Sequence, residues 1–341
     1  MKYRTLGRSG VLVSELCLGT MIFGEEGPRG TNAVDAQRMI DRFLDAGGNH
    51  IDTADVYAGG RSEEIVGKAL QGKRQPVILA SKVRFATGNG PNDQGLSRAH
   101  IIQAVEASLR RLQTDRIDLL YMHCWDPLTP IEESLHAFDS LVQSGKVRYI
   151  GVSNFKAWQL MKSLAISDTH DWARFCAAQY QYSLVVREIE REFLDLLESE
   201  GVGLTPWGPL GGGFLSGKYR RDHRPVDPQE GRLATQPETD EEAWARRAND
   251  RNWNILEVVE SIMAAHPGAS HAQTAIAWLL TRPAVASVVL GARTLEQLED
   301  NLAAAELALS PEEINGLDRA SAYEEGYPYR FLRLFGMRAP E

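Results

Sequence analysis

Cysteine is scarce in this chain: Cys17, Cys124 and Cys176, three in 341 residues, are widely scattered and odd in number. That set excludes a disulfide framework and points to reduced thiols in a cytoplasm. Positive charge is in short supply too. Lys and Arg number 37 against 46 Asp and Glu, a net charge of −9. The balance argues against nucleic acid or an anionic membrane as partner, because such surfaces reward surplus cations. No uninterrupted apolar run is long enough to span a bilayer, and the opening MKYRTLGRSG lacks the apolar stretch of a signal peptide. Internal repeats and low-complexity tracts are absent as well. What is present is an ordinary globular composition, 43% hydrophobic and 24% charged, on a chain long enough for one large α/β domain or two smaller ones.

An N-terminal hairpin is expected in YRTL and VLVS, turning over Gly7–Gly10. Eight apolar runs follow: ELCLG, HIDTA, PVILASKV, IDLLYMH, VRYIGVS, FCAAQYQ, GLTPW and SVVLG. Runs this apolar suit strands buried on both faces, as in a parallel sheet. Each is followed by a helical pattern, the seventh only after a long polar loop, Tyr219 to about Glu241, of the sort that forms a lid or a binding loop or stays disordered. Helix punctuation is clear. Thr129–Pro130–Ile131–Glu132 predicts an N-cap, a first-turn proline and a capping-box Glu, with Gly145 as the stop. Ser97 opens a helix whose buried stripe is Ile101, Val105, Leu109 and Leu112, and Thr294 with Gln297 repeats the capping-box pattern. Eight β-then-α units without a composition break predict an α/β protein, a (β/α)₈ TIM barrel forming a single domain over residues 1–341. A doubly wound open sheet is the rival, but ELCLGTMIFGEEG lacks the G-x-G-x-x-G turn expected after its first strand.

In such a barrel, functional groups gather where strands end. Those positions hold Asp52 and Tyr57 in HIDTADVYAGGRSE, Lys82 in LASKV and His123 in LYMHCWD. Each alone has a structural reading, as a buried ion pair, an interior phenol or a core histidine. All four at one rim point to a site. A metal on His123, Cys124 and Asp126 is disfavoured, since neighbouring strand residues point opposite ways and no second His or Cys pair supports them. Gly212 to Lys218 spells G-x-x-x-x-G-K, yet no Ser or Thr follows to hold magnesium, so an ATPase loop is excluded.

These segments, together with YRTLGRSG, GKVRYIGVSNF, AAQYQYS, TPWGPLGGGFLSGKY and VVLGARTLEQLEDN, resemble the aldo-keto reductase family over nearly the whole chain. The resemblance implies a barrel that binds an extended nicotinamide cofactor and reduces aldehydes or ketones. Hydride transfer to a carbonyl carbon leaves an alkoxide that needs a proton. Tyr57 is then the general acid, Lys82 lowers the phenol's pKa from its ordinary value of about 10, Asp52 aims Lys82, and His123 orients the carbonyl oxygen.

For the cofactor, the resemblance makes Trp207 a platform for the nicotinamide and lays Gly208, Pro209, Leu210, Gly211 and Gly212 along the ribose and pyrophosphate, with Lys218 reaching the phosphates. The alternative for Lys218 is a solvated surface lysine. Ser153, Asn154 and Gln179 anchor the carboxamide, though the first two could instead cap the next helix, and Thr20 and Met21 line the same end. Gly291, Arg293, Gln297, Asp300 and Asn301 match cofactor positions at the last barrel helix, with Arg293 suited to a 2′-phosphate and Gln297 and Asn301 placed for adenine. Where many members carry Lys-Ser this chain has Gly291–Ala292, and where they carry Arg it has Gln297. Charge complementarity still favours NADPH, leaving NADH open. Phe23, Tyr57, His123 and Trp125 are expected substrate contacts, and the tail YEEGYPYRFLRLF is expected to dock against helices or help close the pocket. Aryl aldehydes, sugars and other polyols all remain candidate substrates.

The family also resembles potassium-channel β subunits, so a redox-sensing, cofactor-binding regulatory subunit is the alternative. The hairpin begins almost at residue 1, and no extra N-terminal segment to act on a channel is expected. Oligomeric state is left open.

Overall fold

The computed structural model describes residues 1–27 and 29–336. A hairpin of β1 (Tyr3–Thr5) and β2 (Leu12–Ser14) pairs antiparallel, Tyr3 opposite Ser14. The eight apolar runs become β3 (Leu16–Gly19), β4 (His50–Asp52), β5 (Ile78–Val83), β6 (Ile117–Met122), β7 (Val147–Ser153), β8 (Phe175–Gln179), β9 (Gly203–Leu204) and β10 (Val288–Leu290). They pair in parallel in the order β10-β3-β4-β5-β6-β7-β8-β9. The sheet curls shut where Leu204 bridges Val285: its N–H donates to the Ala284 carbonyl and its carbonyl accepts from Ala286 N–H, both at 2.8 Å. This is the (β/α)₈ barrel.

The hairpin plugs the N-terminal mouth. Leu6 and Val13 are fully buried in a cluster with Ala80, Leu119, Tyr121 and Ala177, and Arg8 N–H donates to the Gly201 carbonyl at 2.8 Å. Gly7, at φ 60°, must be glycine, because a Cβ there would lie 2.4 Å from the Gly201 carbonyl oxygen. With that end closed, the C-terminal ends of the strands are left to build a site.

Helix capping follows the sequence in part. Ser97 accepts from His100 N–H, and Ile101, Val105, Leu109 and Leu112 are buried. Thr129 does not cap the helix at Ile131–Gln143. Its hydroxyl donates to Asp126 at 2.7 Å instead, and Pro130 is the residue that precedes the helix. Thr294 accepts from Gln297 N–H, but the Gln297 side chain takes Arg293 N–H rather than closing the box. Two helices, Asp250–Ala265 and His271–Leu280, lie between β9 and β10, and the first packs against Pro311–Ala320 outside the barrel, joined by His266 to Glu313 at 2.8 Å.

The long loop is ordered. Tyr219 and Leu233 are buried, Leu233 N–H donates to the Tyr219 hydroxyl at 3.1 Å, and a short helix, Trp244–Arg247, ends it. The tail docks beside helix Phe193–Glu200, where the Tyr329 hydroxyl donates to Glu192 at 2.8 Å and Arg191 lies over the Tyr323 ring at 5.1 Å. Helix Tyr329–Phe335 leaves Phe331, Leu332, Leu334 and Phe335 exposed, and among the described residues none of the tail lines the cavity described below. Among the described residues no helix is long and apolar enough to cross a membrane.

Candidate active site

Parallel strands carry their last side chains to one rim, and here that rim brings four titratable groups together. Lys82, on β5, and Asp52, ending β4, are 1% and 2% exposed and form an ion pair. A buried pair of this kind survives only if its remaining donors and acceptors are satisfied, and they are. Lys82 Nζ also donates to the Thr53 carbonyl at 2.9 Å and to the Tyr57 hydroxyl at 3.2 Å, while Gln179 Nε2 donates to the second Asp52 oxygen at 2.9 Å. Tyr57 sits just past β4, where Ala58, Gly59 and Gly60 all take positive φ and turn the chain into helix Arg61–Ala69. Because the phenol oxygen accepts from Lys82, its own proton is free for another acceptor.

The charges set each group's proton affinity. Burial works against the Lys82 ammonium, but Asp52 and Tyr57 outweigh it and hold the pKa above the usual lysine value. For Tyr57, burial wins: the phenol is held above its ordinary value although Lys82 pulls it down. This corrects the expectation of a lowered phenol, because Asp52 cancels part of the ammonium's field and desolvation of the phenolate does the rest. Burial, with Lys82 and Arg84 adding, keeps His123 well below the usual histidine value, so its ring is neutral at pH 7.

His123 packs edge-on to Tyr57 at 6.0 Å and to Phe85 at 4.7 Å between ring centroids. Among the described residues, its Nδ1 is buried without a hydrogen-bond partner. An orphaned acceptor nitrogen costs less than an orphaned N–H, which favours the tautomer carrying its proton on Nε2.

Beside this group, Ser153 donates to the Gln179 carbonyl at 2.7 Å, and Asn154 donates to Ser153 Oγ and to the His123 carbonyl, both at 2.9 Å. Neither caps the following helix: Lys156 precedes it, with its N–H taken by Gln159. Thr20 Oγ1 donates to the Asp52 carbonyl at 3.0 Å, tying β3 to β4 at the same level, and Met21 is exposed beside it.

A cavity of about 540 Å³ runs from this cluster across the rim. Asp52, Tyr57, His123, Thr20, Met21, Ser153, Asn154 and Gln179 line one end. Trp207, Gly208, Pro209, Leu210, Gly212 and Lys218 follow, and Gly291, Arg293, Gln297, Asp300 and Asn301 line the far end. Lys82 lies beneath the floor, and Gly211 is turned from the wall, its α-carbon facing Val185 and Arg247. The run Gly211–Gly213 takes positive φ throughout, a path closed to bulkier residues that lets the backbone face a ligand. Lys218 pairs with no carboxylate among the described residues and is held below the ordinary lysine value by burial and by the Arg293 charge. A glycine run flanked by a cation lacking an acid partner, with an aromatic face at Trp207, fits the phosphates and ring of a dinucleotide.

Two expected substrate residues lie elsewhere. Phe23 is fully buried in the core, since the chain pairs Phe23 with Thr31 and turns the neighbouring Ile22 toward the cavity. Trp125 packs on Phe155 and Trp158 at ring-centroid distances of 5.0 and 6.0 Å, outside the wall. Arg29, Phe85, Arg232 and Glu242 line the cavity unforeseen. Arg232 and Glu242 approach to 2.5 Å, out of hydrogen-bond alignment. Phe85, three residues past Lys82, was legible as a strand-end residue; the others come from loops without periodicity. Asp126, once a metal candidate, spends its carboxylate on Leu96 N–H, Leu128 N–H and the Thr129 hydroxyl.

A barrel sealed at one end, with a phenol hydrogen-bonded to a buried ammonium and a long cleft at the other, has the layout of an oxidoreductase site. The chain belongs to the Aldo/keto reductase family, whose profile matches residues 15–322. It is 36% identical to a probable voltage-gated potassium channel subunit beta of Oryza sativa subsp. japonica, over 97% of this chain and 98% of that protein. It is 38% identical to the uncharacterized oxidoreductase YrpG of Bacillus subtilis, over 92% of this chain and 93% of that one. A norsolorinic acid reductase of Aspergillus flavus is 36% identical over 97% of this chain and 84% of its own length.

Proposed function

We propose that this chain, acting as one barrel domain, uses NADPH to reduce an aldehyde or ketone to the alcohol, with Tyr57 as proton donor. The observation that carries the reading is the buried Lys82 ammonium donating at once to Asp52, the Thr53 carbonyl and the Tyr57 oxygen beneath an open cavity. The bound nicotinamide supplies the hydride. Neutral His123 donates to the carbonyl oxygen and holds it toward the phenol. Tyr57 then gives up its proton as the oxygen gains charge, and Lys82 stabilises the phenolate left behind. Ser153, Asn154 and Gln179 present amide and hydroxyl groups to the carboxamide, Trp207 offers its flat face, and Lys218 and Arg293 supply charge to the phosphates, which favours NADPH over NADH. Ile22, Val56 and Phe85 make the reacting end apolar, which favours a carbonyl on an aromatic or aliphatic skeleton over a polyol. Three unpaired cysteines suit a reducing cytoplasm.

Similarity to a probable potassium-channel β subunit supports a second reading, a subunit that binds the cofactor to sense its redox state. Turnover of a panel of aryl and aliphatic aldehydes and ketones with NADPH and with NADH separates the two. Steady turnover, faster with NADPH, is expected. Tight cofactor binding with no turnover across the panel favours the sensor.

A further inference from the structure

The loop between β3 and helix Ala33–Asp45 is closed at its base, where Gly24 N–H donates to the Thr31 carbonyl at 2.8 Å and Thr31 N–H to the Ile22 carbonyl at 2.9 Å. That base is fastened to the far end of the cavity, since the Thr31 hydroxyl donates to the Arg293 carbonyl at 3.0 Å. Arg29 projects from this loop, lines the cavity, and reaches the long loop by donating from Nη1 to the Thr235 hydroxyl at 3.2 Å. Like Lys218, Arg29 pairs with no carboxylate among the described residues. Arg29 and Arg293 both line the cavity, and both pull against burial of the neighbouring Tyr219 phenol, with Glu230 opposing them. Lys218, which lies over the Tyr219 ring at 5.0 Å and feels the Arg293 charge, joins the two guanidinium groups.

Three cations from three separate loops thus converge at the end of the cavity where Arg293 precedes the last barrel helix, Leu295–Ala303. Like charges held together repel, and a dianion placed among them relieves the repulsion. A pyrophosphate is common to both nicotinamide dinucleotides, whereas a 2′-phosphate belongs to one. We propose that Arg29 is a third cation of the 2′-phosphate site and a determinant of NADPH over NADH. Thr235 holds its guanidinium in place, so the β3 loop and the long loop meet over the adenosine end. This rests on the reading that the chain uses NADPH.

The test is equilibrium binding to the full chain without substrate, followed by quenching of tryptophan fluorescence, for NADPH and NADH separately. Arg29→Met is expected to weaken NADPH about tenfold while changing NADH less than about twofold, and Arg29→Lys to recover part of the loss. Arg29→Met weakening both cofactors equally, or neither, overturns the proposal. Wild-type chain that binds the two cofactors equally contradicts the NADPH reading itself. Wild-type chain that prefers NADPH, with Arg29→Met retaining the full preference, contradicts only the role of Arg29.

Discussion

At one end of the cavity, Lys82 and Asp52 are sealed from water and every charge has a partner; at the other, Lys218 and Arg29 stand on loops and form no ion pair among the described residues. The first end is finished before any ligand arrives. Its groups are fixed by strands, and its cost in desolvation is offset by four hydrogen bonds from Lys82 and Gln179. The second end carries excess positive charge, which on the proposed function a bound phosphate would neutralise. The difference separates two tasks. Chemistry needs preorganised groups whose geometry does not change as charge develops, whereas recognition needs charge that is uncompensated until the ligand comes.

Substitutions at the two ends should therefore fail in different ways. Tyr57→Phe removes the acid and leaves the packing, so turnover is expected to fall roughly 10³-fold with NADPH affinity nearly unchanged. Retained turnover would remove Tyr57 from the chemistry. Lys82→Met strands the Asp52 charge in a dry pocket, and denaturant unfolding should show a loss of about 3–5 kcal/mol. A loss near zero would mean the pair is solvated. His50, inside the barrel with Nδ1 on Ser287 at 3.0 Å, is pushed by burial down to about 4. The folded chain keeps that ring neutral while the unfolded chain takes up a proton below about 6.5. Stability is therefore full above that pH and falls by about 3 kcal/mol on acidification toward 4. His50→Gln should flatten that window in thermal melts across pH. Arg293→Ala, at the loop-built end, is expected to cost about tenfold in NADPH affinity, and the loss should shrink as salt rises. A salt-independent loss would point to packing instead of charge.

The strands and the reacting groups were legible for a local reason. Each apolar run is a buried strand, and a polar residue at its end, such as Asp52 or His123, has only the rim to occupy. What was not legible depends on contacts between distant segments. Phe23 and Ile22 are neighbours, and only the pairing of Phe23 with Thr31 decides which of them faces the cavity. Thr129 looked like a helix cap until Asp126 claimed its hydroxyl. The direction of the Tyr57 shift follows from how deeply the phenol is buried against Lys82 and Asp52, which spacing along the chain does not encode. Arg29 and Arg232 come from loops whose paths are set by hydrogen bonds to other loops and by burial of Leu233.

On the proposed function the proton comes from Tyr57, a phenol held above its ordinary pKa, and not from His123, an imidazole held below its own. The most direct measurement is the pH dependence of the single-turnover reduction rate with saturating NADPH. A phenol acid is present at all pH values below its pKa, so a level rate through neutrality and a decline only above about pH 10 are expected. A rate that falls as pH rises on the acid side of neutrality would identify protonated His123 as the donor and rule Tyr57 out.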